Sequence, residues 1–199
     1  MSTDPDLSRA LDFFLEVDRL KSVERRNRIT DGSRCENTAE HSWHLGIACV
    51  ILARFAAEPV DLLRAVTMAL VHDIVEIDAG DTFAYDTAGE ADKRAREEAA
   101  ADRLFALLAD DQAEHLRELW EEYERGDTAE ARFVMAVDRM APMLINLAEG
   151  GTAWNEHGIS RTRVKQRNGR LIEAALPAVW AEAERRLDAA AAAGIIDPT

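Results

Sequence analysis

The chain has 199 residues, 47% hydrophobic and 31% charged, with a formal net charge of -14. That length suits one domain with a core of its own, and the acidic balance excludes a broad surface for nucleic-acid polymers or anionic membranes. No apolar run approaches the roughly 18 residues of a membrane span, and Met1-Ser-Thr-Asp-Pro-Asp lacks the basic and apolar regions of a signal peptide, so the expected location is the cytoplasm. Cys35 and Cys49 are expected to stay reduced there, with Cys35 read as an inert thiol.

The first predicted helix, about Asp6 to Lys21, places Leu7, Leu11, Phe14, Leu15 and Leu20 at helical spacing, which reads as core packing. Between Lys21 and Arg34 a local basic patch follows: Lys21, Arg25, Arg26, Arg28 and Arg34 outnumber Glu24 and Asp31. Guanidinium forks match phosphate oxygens in a bidentate way, so this patch suits an anionic substrate. Asn37-Thr-Ala-Glu40 is a capping-box variant that starts a helix running to about Ala57. Glu58-Pro59 breaks it, and the next helix is predicted from Pro59 to Glu76. So short a turn makes the two helices antiparallel. His41 lies 17 residues before Glu58 and Asp73 lies 14 after Pro59. At 1.5 Å per residue the two come within about 5 Å along the axis.

After Gly80-Asp81, the segment Thr82 to Gly89 carries turn formers and no period, and reads as a loop over the site. A helix is expected from Glu90 to Leu108, and another from Asp110 to Gly126, with Glu118 to Glu124 on an exposed face. Asp127-Thr-Ala-Glu130 caps a helix whose face joins Val134, Asp138, Ala141 and Ile145, and Glu149-Gly-Gly ends it. Thr152 to Arg170 is polar and reads as a surface loop, with Trp154, His157 and a basic cluster of Arg161, Arg163, Lys165 and Arg167. A final helix, about 170 to 190, carries Leu171, Ile172, Leu176, Val179, Trp180 and Leu187. Helix signals with almost no period-two strands define an all-α fold.

Polar residues interrupt these apolar patterns at particular points. Val71-His72-Asp73-Ile74 delivers an imidazole and a carboxylate side by side, with Glu76 one turn on. Asp138 sits in an apolar stripe, and Pro142 removes the backbone bond to its carbonyl, so a bend is expected there. Such groups need partners, and a cation would satisfy them together. His41, His72, Asp73 and Asp138 form a mixed nitrogen and oxygen set that suits Mn, Fe, Co, Ni or Zn, whereas Mg prefers oxygen alone. His44, one turn after His41, reads as a structural histidine.

The order His41, His72-Asp73, Asp138 resembles the HD-domain phosphohydrolases. Glu36-Asn-Thr-Ala-Glu40-His41, Glu76 with Gly80-Asp81, Leu119-Trp-Glu-Glu-Tyr-Glu124 and Glu130-Ala-Arg-Phe-Val134 extend the similarity to the 5'-deoxynucleotidase-like branch, over about Leu20 to Ile145. The resemblance implies an HD-domain helical bundle, an enzyme that hydrolyses phosphoric monoesters, and a homodimer. It singles out Arg25 as a substrate-phosphate arginine, while the aromatic residue that follows it in the family is Arg26 here.

The expected chemistry is metal-dependent release of phosphate from a (deoxy)nucleoside 5'-monophosphate. A divalent cation at the His/Asp site supplies acidity to water and polarises the phosphate. Glu76 orients water or protonates the leaving oxygen. Asp81 binds the sugar hydroxyl or joins Glu76 at a second, hydrated Mg site, which the Thr82 carbonyl completes. Two alternatives stay open: an HD phosphodiesterase or pyrophosphohydrolase on other nucleotides, and a metal- or nucleotide-binding protein without turnover.

Overall fold

A computed structural model describes residues 4–86 and 89–199. Met1 to Thr3, and Thr87 and Ala88 of the expected loop, lie outside the described residues. The architecture is all-α, with one small antiparallel hairpin among the described residues. Helix α1 (Pro5–Val17) leads through a 3-10 turn into strands β1 (Glu24–Arg28) and β2 (Cys35–Asn37), which pair Glu24 with Asn37 and Arg28 with Cys35. The hairpin replaces the unstructured basic patch of the sequence reading, and its inward side chain is Arg25.

Helix α2 (Thr38–Leu52) opens with the full capping box: the Glu40 N–H donates to Asn37 Oδ1, and Glu40 Oε2 accepts from the Asn37 N–H. Helix α3 (Leu62–Val71) starts at the Asp61 cap rather than at Pro59, because the Asp61 carboxylate accepts the Arg64 N–H while Pro59 stays outside the helix. It ends at His72 rather than Glu76, and a turn then leads to the short helix α4 (Glu76–Ala79). Gly80 adopts φ +74°, a conformation that side chains with a Cβ rarely take, and so turns the chain to present Asp81.

Helices α5 (Glu90–Phe105), α6 (Asp110–Arg125) and α7 (Ala129–Ala148) follow close to their expected limits. Helix α7 continues through Pro142 and is the central post, packed by α2, α3 and α6. The segment expected as a surface loop is instead helical. Helix α8 (Thr152–Glu156) buries Trp154, and α9 (Arg161–Ala175) starts where the Ser160 hydroxyl accepts the Arg163 N–H. Pro177 breaks the expected final helix, so α10 (Pro177–Ala192) turns back on α9. The main core joins Leu45, Met68, Phe133, Val137, Ile172 and Leu187 from five helices.

Two expectations of burial reverse. Leu7, Leu11, Phe14 and Leu15 of α1 are exposed, and the helix docks through Phe13 and Val17 instead. Glu122, expected on an exposed face, is buried, where its carboxylate pairs with Arg64 and accepts the Thr128 hydroxyl at 2.6 Å. No helix among the described residues is long and apolar enough to cross a membrane.

Candidate metal centre and substrate cleft

The ends of α2 and α3 meet the middle of α7. His41 lies in the first turn of α2 and His72 at the end of α3, and their rings stand 5.9 Å apart. The His72 Nδ1–H donates to the Ala69 carbonyl at 3.0 Å, since that oxygen can only accept, so the Nε2 lone pair faces inward. Asp73 Oδ1 is 3.2 Å from His72 Nε2, and Asp73 Oδ2 is 3.8 Å from His41 Nε2. Donor atoms of His41, His72 and Asp73 all lie within 4.8 Å of one another. Asp138 joins from α7, its Oδ1 2.9 Å from His41 Nε2. The four residues expected as metal ligands are therefore brought together.

Three neighbours that the sequence did not single out hold this set in place. Tyr123 donates its hydroxyl to Asp138 Oδ2 at 3.0 Å and packs its ring 4.7 Å from His72. Glu36 is buried 3.7 Å behind His41 Nδ1. Thr38 donates its hydroxyl to Glu76 Oε2 at 2.9 Å. An invariably polar residue in an apolar stripe is the only sequence signal for such positions; Tyr123 hides it, because its ring satisfies the stripe and one oxygen does the work.

Arg25 reaches in from β1, with Nη1 3.2 Å from Asp73 and 3.6 Å from Asp81, and Nε 3.3 Å from Glu36. Burial lowers the basicity of Arg25, yet Asp73, Asp81, Glu76 and Asp138 outweigh it and hold the proton fast. Burial likewise works against charge on Asp73, but His72 first, then Arg25 and His41, hold its carboxyl at about 2. Asp138 is held far below the usual carboxylate range, because His41, His72 and Arg25 outweigh burial. Both histidines are raised: burial opposes their charge, and the facing carboxylates more than offset it. Glu76 is pushed well up by burial and then by Asp73, with Arg25 opposing, and Asp81 is raised by burial for the same reason. Five carboxylates around one guanidinium and two imidazoles leave an excess of buried negative charge. A divalent cation fits that donor set and relieves the excess.

The centre opens into a cleft of about 300 Å³, a size suited to a small ligand. Glu76, Asp81 and Thr82 line its mouth, and the far wall carries Phe83, Tyr85 and Trp154. The Thr82 hydroxyl accepts from Arg96 at 3.1 Å. Of the basic patch, Arg25 and Arg26 line the cleft, whereas Arg34 is turned away to a two-pronged pair with Glu40 and Lys21 pairs with Asp18. His44 is exposed and stacks on Trp43, apart from the centre. Cys49 is buried, its thiol pushed up to about 12, and Cys35 stays outside the donor group.

A helical bundle with histidines at two helix ends, an adjacent aspartate and a second aspartate on a central helix defines the HD class, whose profile, described as HD domain, matches residues 17–180. The chain belongs to the HD-domain family. It is 33% identical over 135 residues to human 5'-deoxynucleotidase HDDC2, covering 67% of this chain and 65% of that protein. The bovine 5'-deoxynucleotidase HDDC2 is 32% identical over 74% of this chain and 71% of its own length. A crystal structure of a predicted metal-dependent phosphohydrolase from Magnetospirillum magnetotacticum superposes with a TM-score of 0.92 at 44% identity, over 98% of this chain and all of that one. The family implies a divalent metal, and His41, His72 and Asp73 could bind it.

Proposed function

We propose that the protein is a metal-dependent phosphohydrolase that releases phosphate from (deoxy)nucleoside 5'-monophosphates. The observation that carries this reading is the buried set His41, His72, Asp73 and Asp138, with Glu76 beside it at the head of a nucleotide-sized cleft. Those four residues would hold Mn, Co, Fe, Ni or Zn, and when bound the cation polarises the phosphoryl oxygens and makes water more acidic.

The chain's own groups do the rest. Arg25 is a fixed guanidinium at the cleft wall, and its fork suits the 5'-phosphate. Glu76 holds its proton more tightly than an ordinary carboxyl, which suits protonation of the departing 5' oxygen; the Thr38 hydroxyl fixes its orientation. Asp81 would take the sugar hydroxyl, or join Glu76 and the Thr82 carbonyl around a hydrated Mg. Phe83 and Tyr85, 5.5 Å apart, supply an aromatic wall in a cleft where Arg26 stands in place of the family's aromatic residue.

A homodimer completes the reading. Leu7, Leu11, Phe14 and Leu15 on α1, and Trp43, Ile47, Val50 and Ile51 on α2, repeat one spacing and are each between 47% and 72% exposed. Apolar faces of that extent fit a second copy of this chain. Light scattering that gives the mass of one chain across micromolar concentrations would remove the dimer.

The test of the activity is phosphate release from deoxy- and ribonucleoside 5'-monophosphates, with cyclic and triphosphate nucleotides alongside, by chelator-stripped protein reloaded with each metal. Metal-restored turnover of the monophosphates is expected. Turnover confined to the other nucleotides, or none with metal bound, would overturn the reading.

A further inference from the structure

The walls of the cleft differ in charge. On the α5 and α6 side, Glu97 lies 3.5 Å from Lys93, and Glu124 lies 3.2 Å from Arg94, so acid and base are matched. On the α7 and α9 side, Arg139, Arg163 and Arg167 converge on Tyr85. The guanidiniums of Arg163 and Arg167 stand 5.4 and 5.5 Å from the Tyr85 ring centre, and Arg139 donates to the Arg167 carbonyl at 3.4 Å. In a chain with 38 acidic and 24 basic residues, arginines elsewhere find carboxylates: Arg64, Arg94, Arg103, Arg117 and Arg132 all do. Among the described residues neither Arg139 nor Arg163 has one within ion-pair distance, and Arg26 on the cleft wall has none either. Like charges gathered without a counter-charge cost free energy, so the arrangement is one that an anion would relieve. The 5'-phosphate does not fill this place, because Arg25 and the metal centre already define where it goes.

We propose that the Arg139, Arg163 and Arg167 wall around Tyr85 is a second phosphate subsite, and that the preferred substrate carries a phosphate on the sugar's 3' oxygen as well as at the 5' position. This rests on the phosphohydrolase reading of the centre and names its substrate class: a nucleoside 3',5'-bisphosphate. In the reaction water adds to the 5' phosphorus, the bond from phosphorus to the 5' oxygen breaks, and that oxygen takes a proton. The products are inorganic phosphate and a nucleoside 3'-phosphate, with the second phosphate retained on the arginine wall. Tyr85, whose hydroxyl bonds with Asn168, holds the two guanidiniums at its ring faces and so positions them.

The experiment compares 2'-deoxyadenosine 5'-monophosphate with 2'-deoxyadenosine 3',5'-bisphosphate on metal-loaded, full-length protein, reading kcat and KM separately. The bisphosphate should show a KM lower by at least about tenfold, the scale of one charge-assisted hydrogen bond. Arg139→Gln and, independently, the exposed Arg163→Gln should bring the two substrates' kcat/KM ratio towards one. Wild-type hydrolysis of the monophosphate with no bisphosphate advantage overturns the subsite and leaves the phosphohydrolase reading standing. Failure of both substrates overturns that reading itself. If Arg139→Gln depresses both substrates equally, Arg139 serves the 5'-phosphate and the subsite is wrong. A 5'-phosphorylated dinucleotide, assayed in parallel, separates a 3'-phosphomonoester from a phosphodiester as the group bound: a KM below that of the bisphosphate would overturn the mononucleotide assignment.

Discussion

Replacing Glu76 by glutamine separates the proton of this carboxyl from its shape. Glutamine keeps an oxygen for the Thr38 hydroxyl, now 2.9 Å from Glu76 Oε2, and fills nearly the same volume. What it removes is an acid whose charged form is opposed by burial, by Asp73 and by Asp81. The fold therefore gives up little, and the melting temperature should stay within about 2 °C or rise, since 1 kcal/mol shifts a chain of this size by roughly 2–4 °C. The metal should stay at the parent stoichiometry, because the four donors and Tyr123 are untouched. Turnover should not survive: a positioned general acid or base is worth about 10²–10⁴ in rate, or roughly 3–5 kcal/mol of barrier. The assay is phosphate release at saturating 2'-deoxynucleoside 5'-monophosphate, with metal content measured on the same sample. A kcat within threefold of the parent at equal metal content would refute the role of Glu76. Loss of metal together with activity would make it a ligand instead.

Three other substitutions probe the surroundings. His72→Ala should drop bound metal from about one equivalent to less than about a tenth after dialysis, as removal of a ligand does; stoichiometric metal by mass spectrometry would refute the ligand set. Tyr123→Phe removes the hydrogen bond to Asp138 and should weaken metal affinity or activity by about 10–100-fold, measured by competition with a chromophoric chelator. If both are unchanged, Tyr123 is only packing. Glu122→Gln should cost about 1–2 kcal/mol. Burial pushes the Glu122 carboxyl up, but hydrogen bonds from Arg64 and Thr128 outweigh it and depress the pKa. A depressed folded pKa means stabilisation that is present above the unfolded value and lost as pH falls through the folded one. The melting difference between parent and variant should thus be full above about pH 5 and shrink below about pH 4. A difference independent of pH would show that the carboxylate charge contributes nothing.

The metal end of the site was legible because its residues violate their surroundings: Asp138 interrupts an apolar helix face, and Asn37 and Glu40 mark a helix start that fixes where His41 falls. The hairpin was not legible. Glu24-Arg-Arg-Asn-Arg28 has a period of two in burial and none in hydrophobicity, because the side chain it turns inward is the charged Arg25. Helix α9 was hidden for a related reason: its buried residues, Val164, Asn168, Gly169 and Ile172, include few apolar side chains, and Gly169 is chosen for the close approach of Trp180 rather than for helix propensity. The stripe on α1 was read at the correct spacing and given the wrong partner. Periodicity reveals that a face is apolar, and says nothing about whether its cover comes from the same chain.

The spacing of the donors along the chain has a bearing on how the protein matures. His41, His72 and Asp73 fall within 32 residues, on two helices joined by a short connection, whereas Asp138 follows 65 residues later. During synthesis the first three can gather as soon as α2 and α3 pair, because contacts of low sequence separation form early. The fourth arrives only when α7 docks, and α7 is also the post on which the core is built. Capture of the cation by the complete set is thereby timed to the last long-range step of folding, so that a nascent or truncated chain lacks the full cage and a metallated chain is one that has already closed its core.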